Sequence, residues 1–314
     1  MNSRPLKDPV ASIRQRLLNL SKRRNEPFDF TLRRYGIERF LYRLSRSPYA
    51  DQFVLKGAIL FTLWIGKRYR PTYDLDLLGY GDPSSERLIP VFREIISTPI
   101  EEDGLIFDEK SIRVEEIREG QVYGGQRVHL KAQLGTTSIS IKIDIGFGDV
   151  ITPTYQKITY PTLLEFPAPL LRAYPKETVL AEKIHALVTL GILNSRLKDF
   201  YDIWAISQEL SFEGRSLQRA IEATFERRQT RFPLEIPIAL TEEFSQAPDR
   251  AKQWKIFLHR HGLASEKSFE QVIEEIRLFI QPILRASATG QEFTFFWPAG
   301  GPWNALASPR DVHL

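Results

Sequence analysis

Two short stretches place aspartate side chains inside otherwise apolar, strand-like segments. In TYDLDLLGYG, Asp74 and Asp76 alternate with leucines, and in TSISIKIDIGFGD a run of isoleucines alternates with polar residues that include Asp144. Successive side chains of a strand point to opposite faces. Each stretch therefore predicts a strand with one face packed on a core and one face that carries carboxylates.

Two carboxylates on one strand face repel each other unless a cation lies between them. Ligands that are all oxygen favour Mg²⁺, with Mn²⁺ as an alternative ion. If the strand with Asp144 lies beside the strand with Asp74 and Asp76, the three carboxylates converge on one metal site. For an isolated Asp-x-Asp the simpler interpretation is a half-exposed strand with solvated acids, so the neighbouring motifs decide between the two.

The order of the predicted elements indicates an α+β fold. Periodicity predicts N-terminal helices and strands at 9–24, 31–47, 53–66, 73–78, 84–97, 104–108, 112–117, 126–134 and 137–147. After a proline-spaced connection at 153–175, it predicts helices at 176–191, 196–210, 214–227, 249–260 and 268–284. We therefore predict an α+β domain over residues 1–165 and an all-helical domain over residues 166–314, whose aromatic tail docks on its body.

Composition excludes several classes of function. The chain has no cysteine, which rules out disulfides, thiolate metal sites and a cysteine nucleophile. It has no GxxxxGK[ST] motif, which argues against a P-loop NTPase. It also shows neither a signal-peptide pattern nor an apolar run of about 20 residues. We expect a cytoplasmic protein with no membrane segment.

The N-terminal segment is basic. Residues 1–50 hold 12 Lys/Arg and 4 Asp/Glu, a net charge of +8, whereas the whole chain carries +4. Arginines alternate there with aromatic residues, as in RRYGIERFLYRLSR. One interpretation is a surface for a polyanion such as RNA. The other is a solvated helical face, which is the commoner outcome for a run of charges.

Two further motifs contain candidate phosphate-binding groups. Lys56, Gly57 and Ala58 precede a predicted helix, and glycine there lets backbone amides approach an anion. In LAEKIHALVTLGILNSRLKDFYDIWAI, Asp199 and Asp202 are three residues apart on one helix face.

The same region has less specific interpretations. Lys183 and Glu182 can form a surface pair, and the two late aspartates can pair with Arg196 or Lys198. We expect His185 to pack or to cap locally. The basic residues Arg227, Arg228 and Arg231 are expected to form a solvated face.

Taken in order, these motifs resemble the polymerase-beta-like nucleotidyltransferases, and more closely the AbiEii/AbiGii toxin family. The resemblance is carried by ERFLYRLSRSPYADQFVLKGAILF, RPTYDLDLLG, IKIDIGFGD, ETVLAEKIHALVTLG and RLKDFYDIWAI, and extends over about residues 10 to 305. Ala58 departs from the family pattern, in which Gly or Ser is frequent. A serine hydroxyl is therefore absent, and backbone amides would make the phosphate contacts.

The resemblance implies a polymerase-beta-like core and a role for each motif. Asp74 and Asp76 would hold one or two Mg²⁺ ions, and Asp144 would complete the metal site or act as general base. Lys183 would contact the NTP phosphates. Either Asp199 or Asp202 would orient Lys183 or the acceptor. Lesser nucleotide-binding candidates are Lys56, Gly57, Ala58, Arg70 and Thr72.

The implied function is a toxin that moves a nucleotide from an NTP to RNA, above all to the tRNA 3′ end, and so blocks translation. A cognate antitoxin is the implied protein partner. Two alternatives remain open: an enzyme that nucleotidylates protein, and a catalytically silent NTP-binding module on the same fold.

Overall fold

The computed structural model describes residues 8–65, 72, 74–117, 124–191, 194, 196–263 and 267–305. It divides the chain into two compact units. The first takes its described residues from Met1–Leu63, Thr72–Gly148 and Gln156–Ala173, and the second from Trp64–Pro71, Asp149–Tyr155 and Tyr174–Leu314. Among the described residues, no helix has both the length and the apolar character needed to cross a membrane.

The first unit is built on a seven-stranded mixed sheet in the order β3-β4-β5-β2-β1-β7-β6. The pairs β2/β5 and β1/β7 are parallel, and the other neighbouring pairs are antiparallel. A mixed sheet with flanking helices confirms the predicted α+β class. The strands are β1 (Phe53–Lys56), β2 (Asp74–Gly79), β3 (Leu105–Ile117), β4 (Gly125–Leu134), β5 (Thr137–Phe147), β6 (Gln156–Thr159) and β7 (Leu170–Ala173).

The helices of this part are α1 (Pro9–Arg24), α2 (Phe28–Arg46), α3 (Phe61–Ile65) and α4 (Ser85–Ile96). Helix α2 packs on the apolar face of β5, where Ile141 and Ile143 are buried. Gly36 permits this packing, because a Cβ there would lie only 3.0 Å from Cδ1 of Ile141. The opposite face of β5 keeps its polar residues accessible, as the alternation predicts.

The basic and aromatic residues of α2 lie largely inside the first unit. Arg39 donates to Asp103 at 3.0 Å and Arg43 donates to both oxygens of Asp103, at 2.7 and 3.1 Å. Glu38 accepts from the backbone of Leu163 at 2.6 Å. We call Glu38, Arg39, Arg43 and Asp103 the α2 cluster, and all four are buried. For Arg39 and Arg43, the interpretation as a polyanion-binding surface or a solvated face is wrong.

The second unit is mainly helical. Its helices are α5 (Lys176–Leu190), α6 (Leu197–Glu209), α7 (Gly214–Arg227), α8 (Glu242–Ser245), α9 (Arg250–Arg260) and α10 (Phe269–Thr289), and its short strands are β8 (Phe212–Glu213), β9 (Phe295–Trp297) and β10 (Asn304–Ala305). The aromatic tail docks as expected: Nε1 of Trp297 donates to the Ser207 carbonyl at 2.7 Å, and Nε1 of Trp303 donates to the Phe279 carbonyl at 2.8 Å.

Two predicted elements differ from the structure. The proline-spaced stretch 153–175 is not only a connection, because it contains β6 and β7, and β7 pairs with β1 at the register Leu55–Ala173. The two strands predicted at 104–108 and 112–117 are one long strand, β3, with an irregularity between Asp108 and Arg113. A local composition typical of turns therefore does not distinguish a loop from an edge strand or from an irregularity within a strand.

Candidate active site

The carboxylates lie on the polar face of the central strands. On β2, Leu75 and Leu77 are buried, whereas Asp74 and Asp76 point to the opposite, partly exposed face. The parallel pairing of β2 with β5 places Asp76 opposite Asp144. Neighbouring strands are about 4.8 Å apart, so the structure brings these acids to one small area of the sheet.

The backbone at Gly57 lies directly against this area. Lys56, the last residue of β1, pairs with Asp76, and Gly57 follows with φ +78°. A Cβ at Gly57 would come within 2.0 Å of Oδ2 of Asp76. Both the positive φ and the close approach require glycine. Ala58, which is buried, begins a 3₁₀ turn that ends at Leu60 and is followed by the five-residue α3, so the helix predicted after Gly57 starts as a 3₁₀ turn.

Cationic side chains neutralise two of the carboxylates. Nζ of Lys142 lies 2.8 Å from Oδ1 of Asp74. Arg127 on β4 donates from Nε and Nη2 to the two oxygens of Asp144, at 2.8 and 2.9 Å. Hydrogen bonding to Asp144 raises the pKa of Arg127 above its ordinary value. We call Lys142–Asp74 and Arg127–Asp144 the sheet-face pairs.

These contacts bear on which groups fit a metal ion. Among the described residues, no cluster of three or more His, Asp or Glu side chains has an arrangement suited to a metal. The oxygen donors of Asp74 and Asp76 fit Mg²⁺ chemically, whereas both oxygens of Asp144 already accept hydrogen bonds from Arg127. Oδ1 of Asp74 also contacts a cation, Nζ of Lys142, so these contacts alone do not select a metal-binding pair among the three acids.

The second set of predicted residues lies in the second unit. Nζ of Lys183 on α5 contacts Oδ1 of Asp199 at 2.8 Å and Oδ2 of Asp202 at 2.7 Å, both on α6. We call these three residues the lysine cluster. The lysine side chain is 14% exposed, and the two aspartates are 9% and 0% exposed. Lys183 is therefore largely buried, so its interpretation as a surface residue is wrong, and both late aspartates contact its ammonium.

Arg228 is the centre of another polar group in the second unit. It donates to Asp149 at 3.0 Å, and it lies 3.7 Å from Glu182 and 3.3 Å from Nδ1 of His185. Its side chain is only 11% exposed, so the expectation of a solvated face is wrong for Arg228. His185 packs against Phe225 as expected, and burial together with the Arg228 cation lowers its pKa to about 4.

The remaining nucleotide-binding candidates are Arg70 and Thr72. Arg70 lies outside the described residues, and Thr72 is partly buried two residues before Asp74.

The comparisons decide the family. The model of a family described as nucleotidyl transferase AbiEii toxin, type IV toxin–antitoxin system, matches residues 39–275. The chain belongs to this family. The matched range contains the carboxylates of β2 and β5 and the whole lysine cluster of this AbiEii chain. The AbiEii chain is thus a nucleotidyltransferase toxin of a type IV system, a class that includes a cognate antitoxin.

Solved structures resemble the AbiEii chain at low sequence identity. One is MenT4, a nucleotidyltransferase toxin from Mycobacterium tuberculosis H37Rv, with 16% identity, a TM-score of 0.48, and coverage of 90% of this chain and 99% of that one. Another is JHP933 from Helicobacter pylori, with 14% identity, a TM-score of 0.41, and coverage of 91% and 95%. A comparison with curated protein sequences found no match.

Sequence reasoning missed the basic residues that contact the acids of the AbiEii chain. Lys142 and Arg127 sit in strand alternation with no motif of their own, and Arg228 stands in a run of basic residues. One signal was available for Arg127. A two-residue turn at Gly135-Thr136 makes β4 and β5 a hairpin, and its register places Arg127 opposite Asp144.

Proposed function

We propose that this AbiEii toxin transfers a nucleotide from an NTP to RNA, with the 3′ end of tRNA as its acceptor, and thereby blocks translation. The observation that carries the proposal is the arrangement at the centre of the sheet. Asp74 and Asp76 share one face with Asp144 in register beside them, and the Gly57 backbone lies against Asp76. Family membership gives the reaction class, and this arrangement supports its assignment to the centre of the sheet.

The reaction forms a bond from an acceptor hydroxyl oxygen to the α-phosphorus of the NTP. The bond from that phosphorus to the bridging oxygen breaks, pyrophosphate leaves, and the proton of the acceptor hydroxyl passes to solvent water. Bound at Asp74 and Asp76, Mg²⁺ would neutralise charge that develops on the phosphoryl oxygens. Gly57 leaves the space that the Asp76 carboxylate fills, since a Cβ there would lie 2.0 Å from Oδ2 of Asp76.

Asp144 and Lys183 have different parts in this proposal. Since both oxygens of Asp144 accept from Arg127, the contact supports a role for Asp144 in holding Arg127 rather than in removing the acceptor proton. Asp199 and Asp202 fix the ammonium of Lys183. A lysine held in one position is a localised positive charge suited to the NTP phosphates.

An RNA acceptor is supported by exposed basic residues on α1. Although α2 buries Arg39 and Arg43, the described part of the N-terminal segment keeps five basic residues exposed: Arg14, Arg16, Lys22 and Arg23 on α1, and Arg46 at the end of α2. Contacts of such residues with phosphates make binding weaken as salt concentration rises.

The test is nucleotide transfer in vitro. Purified protein is incubated with total RNA, Mg²⁺ and each α-³²P-labelled NTP in turn. We expect label in a tRNA-sized band for at least one NTP, and no label with the double variant Asp74→Asn/Asp76→Asn. The matched control is Asp108→Asn, which changes an exposed carboxylate on β3 of the same sheet and is expected to keep full activity.

The products separate this proposal from its alternatives. Label on protein and not on RNA would establish a protein-nucleotidylating enzyme instead. Absence of label with every NTP, together with NTP binding in equilibrium dialysis, would establish a silent NTP-binding module. Label that persists in the double variant would refute the assignment of the site.

A further inference from the structure

Charged side chains form rows across the polar face of the sheet. One row crosses five strands through Glu115, Arg127, Asp144, Asp76 and Lys56, and its two aspartates are neighbours. The next row crosses four strands through Arg113, His129, Lys142 and Asp74. Cationic side chains therefore lie beside the acids of this face. A metal ion that binds these acids has to compete with those cations.

The two sheet-face pairs differ in how firmly they are held. Arg127 engages both oxygens of Asp144 through a planar fork, and Nη1 of Arg127 also lies 3.9 Å from Glu115. Lys142 contacts Asp74 through a single ammonium on a flexible stem. A lysine of this kind moves between anions more readily than a bidentate arginine does.

The exposure of the Lys142–Asp74 pair fits an exchangeable contact. The lysine side chain is 34% exposed and the aspartate side chain is 41% exposed. Ion pairs this accessible to water contribute little to stability, so a divalent ion can displace the ammonium at small cost. The displaced ammonium then lies near the bound dication, and the repulsion opposes binding of the metal alone.

We propose that Lys142 is a positioning residue that couples divalent-metal binding to triphosphate binding. Without nucleotide, Lys142 neutralises Asp74 and competes with the metal ion. When a triphosphate binds, its oxygens accept hydrogen bonds from the displaced ammonium of Lys142, and the carboxylate of Asp74 becomes available to the metal ion. Metal and NTP therefore bind with positive cooperativity, each raising the affinity for the other by the same factor. This inference rests on the metal and NTP site of the proposed function.

The test measures Mn²⁺ affinity by electron paramagnetic resonance, which counts free Mn²⁺ and does not depend on activity. Wild-type protein is titrated alone and with saturating α,β-methylene analogues of the four NTPs, in which the bond that must break is blocked. We expect at least one analogue to tighten Mn²⁺ binding in the wild type. In Lys142→Met we expect Mn²⁺ alone to bind about threefold to tenfold more tightly, and the effect of the analogue to shrink.

A matched control separates this contact from general electrostatics. Lys131 on β4 is exposed on the same face of the sheet, pairs in register with Ser140, and carries the same charge. We expect Lys131→Met to change Mn²⁺ affinity by less than about twofold. Lys142→Gln provides a second neutral variant, and circular dichroism checks that each variant is folded.

The outcomes are distinguishable. If Lys142→Met and Lys142→Gln bind Mn²⁺ no more tightly than the wild type, or if Lys131→Met gives the same gain, the coupling role is refuted while the proposed function stands. If Mn²⁺ binds neither wild type nor variants, with or without analogue, both the inference and the metal site of the proposed function fail. A gain in Lys142→Met that disappears when Asp74→Asn is added supports the inference directly.

Discussion

Two groups of charged side chains in the first unit use the same chemistry in opposite surroundings. In the α2 cluster, Arg39, Arg43 and Asp103 form ion pairs at 2.7–3.0 Å, and their side chains are 0–7% exposed. In the sheet-face pairs the contacts are as short, 2.8 Å for Lys142–Asp74 and for Arg127–Asp144, yet the side chains are 22–41% exposed. The two groups of ion pairs therefore differ in burial and not in contact distance.

The difference indicates which charges a ligand can use. A buried ion whose partner is removed keeps its full desolvation penalty, so the α2 cluster is held by the fold. An ion at the sheet face can return to water, so its partner can be exchanged for a metal ion or a phosphate. We therefore expect mutations in the α2 cluster to change stability and mutations at the sheet face to change function.

The largest effect is expected for Asp103→Asn. This change removes the buried carboxylate that both Arg39 and Arg43 contact, and the free energy of unfolding should fall by about 3–5 kcal/mol. Urea denaturation followed by circular dichroism measures it. The control Asp108→Asn, an exposed residue on β3, should change stability by less than about 0.5 kcal/mol. Equal losses in both variants would contradict the comparison.

A smaller effect, which depends on pH, is expected inside the α2 cluster. Burial raises the pKa of Glu38 from 4.5 to about 7. The folded protein thus holds the Glu38 proton more tightly than the unfolded chain does. Its contribution to stability is complete below pH 4.5 and is lost as the pH rises to about 7. The shift corresponds to a loss on the order of 3 kcal/mol.

The variant Glu38→Gln removes this dependence, because an amide does not ionise and can still accept from the Leu163 backbone. Relative to the wild type, it should gain stability between pH 4.5 and pH 7.5, as measured by urea denaturation across that range. Glu102→Gln, a change at an exposed neighbour of Asp103, is the control and should follow the wild type. Parallel pH curves for Glu38→Gln and wild type would refute this reading of the cluster.

Mutations in the lysine cluster of the second unit should change stability by less than those in the α2 cluster and by more than those in the sheet-face pairs. Asp202 is 0% exposed and Asp199 is 9% exposed, and both contact Lys183. We expect Asp202→Asn to cost about 2 kcal/mol of stability and Asp199→Asn about 1 kcal/mol, since each variant leaves one carboxylate on the lysine. Thermal unfolding and nucleotide transfer are measured on the same samples. A larger loss of stability and of activity in Asp199→Asn than in Asp202→Asn would contradict this order.

Strand alternation and helical spacing determine how much of the fold and of the candidate site could be predicted from the sequence. Alternation is a local property, so it predicted that Asp74, Asp76 and Asp144 lie on polar strand faces. The parallel pairing of β2 with β5 joins segments more than sixty residues apart, and no local pattern specifies it. The sequence therefore left open whether Asp144 lies beside the other two acids.

Helical spacing alone could not correct the prediction for the basic N-terminal segment. Tyr35, Arg39 and Arg43 recur every four residues and share one face of α2, but every residue from 35 to 44 is buried, whichever face it lies on. A charge count over residues 1–50 does not distinguish this face from an exposed one. Their acceptor, Asp103, lies in a different part of the chain, and only the fold brings it to them.

The smallest change in stability is expected at the sheet face, where the change in function should be largest. Asp74→Asn removes the charged partner of Lys142, but the side chains of Asp74 and Lys142 are 41% and 34% exposed. Water can therefore solvate the lysine, and the free energy of unfolding should change by less than about 1 kcal/mol. Nucleotide transfer by the same preparation should be lost, because an amide does not replace a carboxylate as a ligand for Mg²⁺. Urea denaturation and the transfer assay on one sample test both statements. A loss of stability as large as that of Asp103→Asn would mean that burial does not divide the charges of this unit into structural and functional groups, and full activity would mean that the carboxylate of Asp74 serves the sheet alone.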